Sequence, residues 1–338
     1  MKLSVVIPCR NEVDSIEECI EAIFASQLPE DLQVSVFIVD GMSNDGTLEI
    51  ISLLKDKHSS LHLIENKKQL TPFAFNLGIR ADETADYVQI IGARQIVSPD
   101  YLLIALKSLL DNETIWCIGG RVNNVFLNDT GRYIAMALST SFGMGLGNFR
   151  ALEESRFVDT VGTPMYPYQV FKEVGFFDEE LIRNQDDEFN YRITKRKKKI
   201  YYDHEISLKY YVRGNFMGLW RQFFQYGYWK VYVNKKHKAV TTSRQLIPPL
   251  FVLYLLAVPF TCFFGPLIAL ASLVPLVLYS LMLLYFSFKA AGSIKEFIQI
   301  ELTYLIVHFS YGLGYIKGIF EFLILGKKPS EKQKRLSR

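Results

Sequence analysis

Four cysteines and five histidines are few for a chain of 338 residues, and none of them stands at a metal-ligand spacing. Cys9, Cys19, Cys117 and Cys262 include no CxxC pair. That excludes a zinc ribbon and a redox motif, argues against a disulfide framework, and suits a reducing cytosol. No GxGxxG and no GxxxxGK[ST] occurs, so the dinucleotide-binding fingerprint and the P-loop are absent. A formal net charge of +3 is too small to suggest a nucleic-acid surface, and no nucleic acid is expected as partner. The opening Met1-Lys-Leu-Ser-Val-Val-Ile-Pro is a strand pattern with no signal-peptide n-region or h-region. The soluble part is therefore expected to face the cytoplasm.

What is present divides the chain. Residues 1–212 have the mixed composition of a soluble α/β domain, and 213–245 turn aromatic and amphipathic. Residues 246–326 are overwhelmingly apolar, and 327–338 form a basic tail. In the first part, apolar runs at 3–7, 34–39, 61–64 and 87–91 alternate with helical spacing at 12–25, 47–54 and 72–80. That rhythm predicts a mostly parallel, doubly wound sheet, whose functional loops lie at the carboxyl ends of its strands. A further strand is expected over 116–122, a glycine-rich loop over 142–149 and a strand over 157–161. Helices are expected over 167–174 and around 187–194.

In the aromatic stretch, Trp220, Phe223, Phe224, Tyr226 and Trp229 interleave with Arg221, Lys230 and Lys235. Such a helix suits a membrane interface, with an ordinary core helix as the bland alternative. Residues 247–264 and 267–288 are each long enough to span a bilayer, and Gly265-Pro266 makes the turn between them. The segment 297–325 carries Glu301, His308 and Lys317, and is expected either to span or to re-enter. Glu301, His308 and Gly312 fall near one helical face, which predicts a side packed into the bundle. Three crossings would put the basic tail outside, against the positive-inside tendency. The runs 195–199 and 235–238 and the tail suit anionic inner-leaflet lipid. A transporter is suggested by Glu301 and His308 alone and leaves the α/β domain unexplained.

Chemistry is expected at the strand ends. The first delivers Pro8-Cys9-Arg10-Asn11-Glu12, and the second delivers Asp40-Gly41-Met42-Ser43. An aspartate there can accept hydrogen bonds from a base or ribose, and Arg10 can meet a phosphate. Taken alone, either stretch is also satisfied by turns and helix caps. Further on, Gln185-Asp186-Asp187-Glu188 opens a helix, where carboxylates are favoured by the macrodipole. One of them could instead serve as a general base.

"SVVIPCRNE", "VDGMSNDGT", "GFFDEEL" and "NQDDEFNYR", in this order and at these intervals, resemble family 2 glycosyltransferases of the GT-A fold. The likeness is greatest to the bacterial membrane-bound branch typified by succinoglycan-biosynthesis glucosyltransferases. "LTPFAFNLGIRA", "FVDTV", "RQFFQYGYWK" and "HFSYGLGYIKG" extend it over nearly the whole chain. The resemblance implies an inverting transferase at the bacterial inner membrane, its catalytic domain facing the cytoplasm. It would move a sugar from a nucleotide donor, a UDP-sugar, to a polyprenyl-linked or polysaccharide acceptor. Pro8, Arg10, Glu12, Asp40 and Ser43 would line the donor pocket. Asp186 would be the base, with Gln185 in place of the family's glutamate. Asp187, Gln222 and Tyr226 would belong to the acceptor or product site.

The resemblance also implies a divalent cation, Mg²⁺ or Mn²⁺, held at the end of the fourth strand by Asp-X-Asp or Asp-Ala-His. This sequence has Gly92-Ala93-Arg94 there. Three readings follow. Arg94 neutralises the departing diphosphate itself, or a cation binds through the diphosphate with Asp186 or Asp187. In the third, the chain is a catalytically silent homologue that binds a nucleotide or a partner enzyme.

Overall fold

The computed structural model describes residues 1–145, 152–212 and 214–329. They group into two compact units, Met1–Asn123 with Leu152–Tyr211, and Asn124–Ala151 with Val212–Arg338.

The first unit begins as the apolar rhythm predicts. β1 (Lys2–Cys9), α1 (Ile16–Phe24), β2 (Gln33–Asp40), α2 (Thr47–Lys57), β3 (Leu61–Glu65), α3 (Thr71–Arg80) and β4 (Tyr87–Ile90) alternate along the chain. The strands pair in parallel, with Leu3 opposite Val34 and Tyr87, and Val36 opposite Leu61. Val5, Val6 and Ile7 of β1 are fully buried, because helices cover both faces of a parallel sheet. α3 lies so close to β1 that a Cβ on Gly78 would overlap the Val6 side chain. Only glycine allows that approach.

Beyond β4 the sheet turns antiparallel. β5 (Gln95–Val97), α4 (Tyr101–Asp111) and β6 (Ile115–Val125) come next, and then α5 (Asp129–Leu138) and α6 (Ser141–Met144) of the second unit. β7 (Arg156–Val158), β8 (Gly162–Pro167), α7 (Gln169–Val174), α8 (Gln185–Lys195) and β9 (Lys199–Tyr211) complete the first unit. The strand order is β3-β2-β1-β4-β8-β6-β9-β5, with β7 on β9. β8 runs antiparallel to β4 and β6, and β9 antiparallel to β5 and β7. The sheet is thus parallel over its first four strands and mixed as a whole. The strand expected over 157–161 is shorter, since β7 ends at Val158 and β8 starts beyond it at Gly162, and β9 has no counterpart among the sequence expectations.

In the second unit, α9 (Phe216–His237) is followed by a 3₁₀ turn, Ser243–Leu246, and by α10 (Ile247–Ala257). A 3₁₀ segment, Val258–Phe264, then leads to α11 (Pro266–Ser272), α12 (Val274–Ala290) and α13 (Ile294–Gly318), which ends in a π-helical turn over Ile319–Ile324. Side chains of Asn128, Asn215 and Ser293 cap α5, α9 and α13. The expected glycine-rich loop begins instead as the helix α6, whose Phe142 ring packs on Phe286, Tyr304 and His308. The rest of that stretch, 146–149, lies outside the described residues.

α9 and α13 form the core of this unit. Cβ atoms on Gly227 or Gly314 would strike the backbone carbonyls of Tyr311 and Phe224, so the two helices meet backbone to backbone. Trp229, expected at a membrane interface, is therefore a core residue, 1% exposed. On α13, His308 is tied to Tyr279 Oη at 3.0 Å and to Phe142 O at 2.9 Å. Gly312 sits against Pro248 and Val252. The predicted packed face is thus present at His308 and Gly312. Two segments, Ser243–Phe264 and Pro266–Ala290, are long and apolar enough to cross a membrane, with mean hydropathy 2.1 and 2.5.

Candidate active site

The carboxyl ends of β1 and β2 are stitched together by side chains. β2 ends on Asp40, only 3% exposed. A buried carboxylate needs donors, and Ser43 supplies two, its N at 2.9 Å and its Oγ at 2.5 Å. Ser43 Oγ in turn accepts from Asn11 N at 2.8 Å, and Asn11 Oδ1 accepts from Asn44 N at 3.0 Å. Both turns pass through left-handed residues, Asn11 at φ 53° and Met42 at φ 63°. The Arg10 side chain lies against Gly41, where a Cβ would come within 3.3 Å of it.

One layer out, Asp45 accepts from Thr47 N at 3.1 Å, Thr47 Oγ1 at 2.5 Å and Val13 N at 3.3 Å. Glu12 N donates to Thr47 Oγ1 at 2.9 Å. Desolvation opposes ionisation of Asp45, but these donors prevail and hold its carboxyl below the ordinary range.

At the end of β4, Gly92 N donates to Gln95 Oε1 at 2.5 Å, and Gln95 N donates to Gly92 O at 2.8 Å. This tight turn presents Arg94, which donates from Nε to Glu12 Oε2 at 2.5 Å. The Arg94 side chain is 46% exposed and that of Glu12 12%, so the carboxylate is the fixed partner. Burial works against the guanidinium charge, but Glu12 outweighs it and raises the Arg94 pKa. The bond uses Nε alone. Among the described residues the two terminal nitrogens have no hydrogen-bond partner, and each has two donors for an anion. Beneath the turn, Cys19 Sγ approaches Gly92 O at 3.7 Å. Burial pushes that thiol up to about 12, so it is no nucleophile.

A divalent cation does not fit this strand end. Mg²⁺ and Mn²⁺ need oxygen ligands, whereas Gly92-Ala93-Arg94 offers no side-chain oxygen and brings a positive charge. Among the described residues, no group of three or more His, Cys, Asp or Glu side chains is placed to hold a metal ion.

The three acids that open α8 have different environments. Glu188 is buried and grips Arg192 with both oxygens, at 2.8 Å to Nε and 2.9 Å to Nη2. Arg192 also donates to the carbonyls of Val174 and Phe176, each at 2.8 Å, and so fastens α8 to the turn after α7. Glu188 is a structural acid. Asp187 is half-buried, and Asp186 is the exposed one, in the first turn of the helix. Its charge is felt at the fully buried Tyr166, whose hydroxyl is pushed up first by burial and then by Cys117 and Asp186. Gln185 stands beside it with a buried Oε1 that has no hydrogen-bond partner among the described residues.

Side-chain contacts thus bring Asn11, Glu12, Asp40, Ser43 and Arg94 together at one edge, with Pro8 and Arg10 on the same β1 end. Asp186 and Asp187 come on α8 of the same unit. Gln222 and Tyr226 lie on α9 in the second unit, where Gln222 Nε2 donates to Tyr226 Oη at 2.9 Å. Two residues that the sequence reading missed do the positioning. Asn76 of α3 donates to Phe177 O at 2.9 Å and Glu179 Oε1 at 2.8 Å, and accepts from Phe177 N at 3.0 Å. With Arg192, it holds the turn that leads into α8. Its signal was the "AFNLG" stretch, a polar residue inside an apolar helical run.

Residues 4–175 match the family described as glycosyl transferase family 2. The chain is 29% identical over 232 residues to the dolichyl N-acetyl-alpha-D-glucosaminyl phosphate 3-beta-D-2,3-diacetamido-2,3-dideoxy-beta-D-glucuronosyltransferase of Methanococcus voltae, covering 67% of this chain and 71% of that one. It is 28% identical over 245 residues to the succinoglycan biosynthesis protein ExoA of Rhizobium meliloti, covering 72% and 73%. Among solved structures, the mannosyltransferase PcManGT of Pyrobaculum calidifontis, in complex with GDP-Man and Mn²⁺, shares the fold. Its TM-score is 0.61 at 16% identity, over 94% of this chain and 87% of that one. A family match over half the chain, and a sheet whose strand ends carry the residues described above, lead to one assignment: the chain belongs to glycosyl transferase family 2 and is a glycosyltransferase of the GT-A fold.

Proposed function

We propose that the protein is an inverting glycosyltransferase of the bacterial inner membrane, with its catalytic domain facing the cytoplasm. It transfers a sugar from a UDP-sugar to a polyprenyl-linked or polysaccharide acceptor. The acceptor class rests on two similar proteins, one named for a dolichyl-linked substrate and one for succinoglycan biosynthesis. The observation that carries the reading is the carboxyl edge of the sheet. There Asp40 is hydrogen-bonded by Ser43 N and Oγ, and Arg94 offers two unengaged nitrogens beside Glu12.

In this reading Asp40 accepts from the base or ribose, with Pro8, Arg10 and Ser43 around it. Arg94 and Arg10 face the diphosphate. Asp186 takes the proton from the acceptor hydroxyl as its oxygen attacks the anomeric carbon. The bond from that carbon to the diphosphate oxygen breaks, and the nucleoside diphosphate leaves with the electron pair. Because attack is in line, the anomeric configuration inverts. Arg94 stabilises the leaving charge by forked hydrogen bonds, and no step is routed through a cation. Asp187, Gln222 and Tyr226 serve the acceptor or product.

Asp186→Asn tests the assignment. Donor binding by calorimetry stays within about twofold, while transfer falls by roughly 10²–10⁴, the span of a lost general base. If the variant transfers at the wild-type rate, Asp186 is not the base. Gln185 favours a second reading, in which the site binds nucleotide without turnover. Wild-type protein that binds UDP-sugars or GDP-sugars but transfers from neither would establish it.

A further inference from the structure

Between Arg244 and Lys289 the chain contains no charged residue. There it forms a hairpin, with Ser243–Phe264 as one arm and Pro266–Ala290 as the other. Either arm is long enough to cross a bilayer, so length alone does not say what lies at the far end. The tip is Phe263-Phe264-Gly265-Pro266-Leu267, without one polar side chain. Phe263, Phe264 and Leu267 are 84%, 71% and 79% exposed. A connection that emerges into water ordinarily carries polar and charged residues. Here the nearest charges in sequence, Arg244 and Lys289, belong to the ends of the two arms remote from the tip.

The interior of the hairpin has the second signature. Both arms are broken, the first where α10 passes into 3₁₀ geometry at Val258-Pro259 and the second at Leu273, ahead of Pro275. A break frees backbone groups that hydrocarbon cannot solvate. Tyr254 Oη donates to Ser272 O at 2.6 Å and accepts from Leu276 N at 3.2 Å, closing the second break from the first arm. Thr261 Oγ1 and Ser272 Oγ lie 2.9 Å apart. Each is also within reach of a carbonyl of its own arm, Val258 O at 2.6 Å and Ala269 O at 2.7 Å. Pro266, first residue of the second arm, has no N–H to leave exposed.

We propose that this hairpin is re-entrant: it enters the bilayer from one face and returns to it, with its tip in the acyl chains. The inference rests on the membrane association proposed above. α13 is itself fixed at both ends to its own unit. Glu296 pairs with Arg132 of α5 at 2.6 Å, and Lys317 lies 3.8 Å from Glu321, which accepts from Tyr228 Oη of α9 at 2.5 Å. With α13 a packed helix and the hairpin returning, the segments before and after it lie on one side of the membrane. Arg244, Lys289, Lys327 and Lys328 then share the face of the anionic inner leaflet.

Cys262 is a natural probe of the tip, since it is exposed while Cys9, Cys19 and Cys117 are buried. The full chain is spin-labelled at Cys262 and placed in phosphatidylethanolamine–phosphatidylglycerol vesicles. Collision with oxygen is then compared with collision with a water-soluble nickel chelate. A label on Leu53→Cys, in a Cys262→Ala background, supplies the water-exposed reference. The expected result is nickel collision about tenfold below that reference, with oxygen collision above it, as hydrocarbon depth requires. Nickel access equal to the reference, in protein that sediments with the vesicles, overturns re-entry and leaves membrane association standing. Protein that fails to sediment with them overturns both. Phe264→Lys gives an independent reading: bilayer burial of the charge lowers vesicle binding on the order of a hundredfold. Unchanged binding overturns the proposal.

Discussion

In the first unit the hydrogen bonds involve charged groups: Asp40 with Ser43, Asp45 with Thr47 and Val13, Arg94 with Glu12, and, on α8, Arg192 with Glu188. In the hairpin there is no charge to use, and hydroxyls of Tyr254, Thr261 and Ser272 close the backbone instead. Under the proposed function, the difference follows from what each region would face. A site for an anionic donor needs fixed positive charge and ionised acceptors, so it sits at an edge where water and counter-charges offset desolvation. A surface meant for hydrocarbon cannot afford an ion, and a hydroxyl that donates within its own hairpin is the strongest tool left. Substitutions should therefore be severe where they orphan a charge and mild where they remove a hydroxyl.

The largest effect on folding is expected at Arg192. Replacing it with Met keeps most of the side-chain volume but takes from the buried Glu188 the guanidinium that it grips with both oxygens, which costs about 3–5 kcal/mol. It also frees the carbonyls of Val174 and Phe176. Denaturant unfolding of the full chain should show the loss, and Glu188→Gln in the same background should recover part of it. A loss below about 1 kcal/mol would mean that the pair is solvated in practice and the contrast with the hairpin is overstated.

Arg94 sharpens the comparison on the chemical side. Removing its charge-assisted contacts in Arg94→Ala should lower transfer by roughly 10- to 100-fold. Wild-type transfer should be insensitive to EDTA, because Gly92-Ala93-Arg94 bring no side-chain oxygen, and the nearby Gln95 and Glu12 oxygens are taken by Gly92 N and the Arg94 guanidinium. Activity abolished by EDTA and restored by Mn²⁺ would mean that a cation binds in a way this strand end does not provide. Binding of the nucleoside diphosphate should weaken in Arg94→Ala while that of the nucleoside does not, a split that a purely structural role would not produce.

Much of this was legible in residue order. β1 to β4 are apolar runs bounded by turn residues, and a parallel sheet places loops at the positions of Glu12, Asp40, Ser43 and Arg94, whose proposed roles come from the family resemblance. β9 was not legible, because Lys199, Asp203, His204, Glu205 and Lys209 interrupt its apolar positions, and two of its partners, β5 and β7, are only three residues long. The Arg94–Glu12 pair joins residues 82 positions apart, and no local pattern encodes it. Nor could sequence separate the three acids of α8. Only the position of Arg192, one turn on, distinguishes Glu188 from Asp186.

The smallest effect is expected at Tyr254. Phe in its place keeps the ring stacked near Phe251 but removes one donor to Ser272 O and one acceptor for Leu276 N. In water each group would find a solvent partner and the change would be near neutral. In hydrocarbon neither can, yet helix-to-helix hydrogen bonds in membranes contribute only modestly, so the loss should be about 1 kcal/mol. A Tm lower by roughly 2–4 °C in vesicles is expected. The informative measurement is the contrast between environments. Tyr254→Phe should cost more in a bilayer than in detergent that admits water to the hairpin, whereas Arg192→Met, in the first unit, should cost the same in both. Equal Tyr254→Phe losses would place the break of the second arm in a hydrated setting and remove the reason for the hydroxyl network.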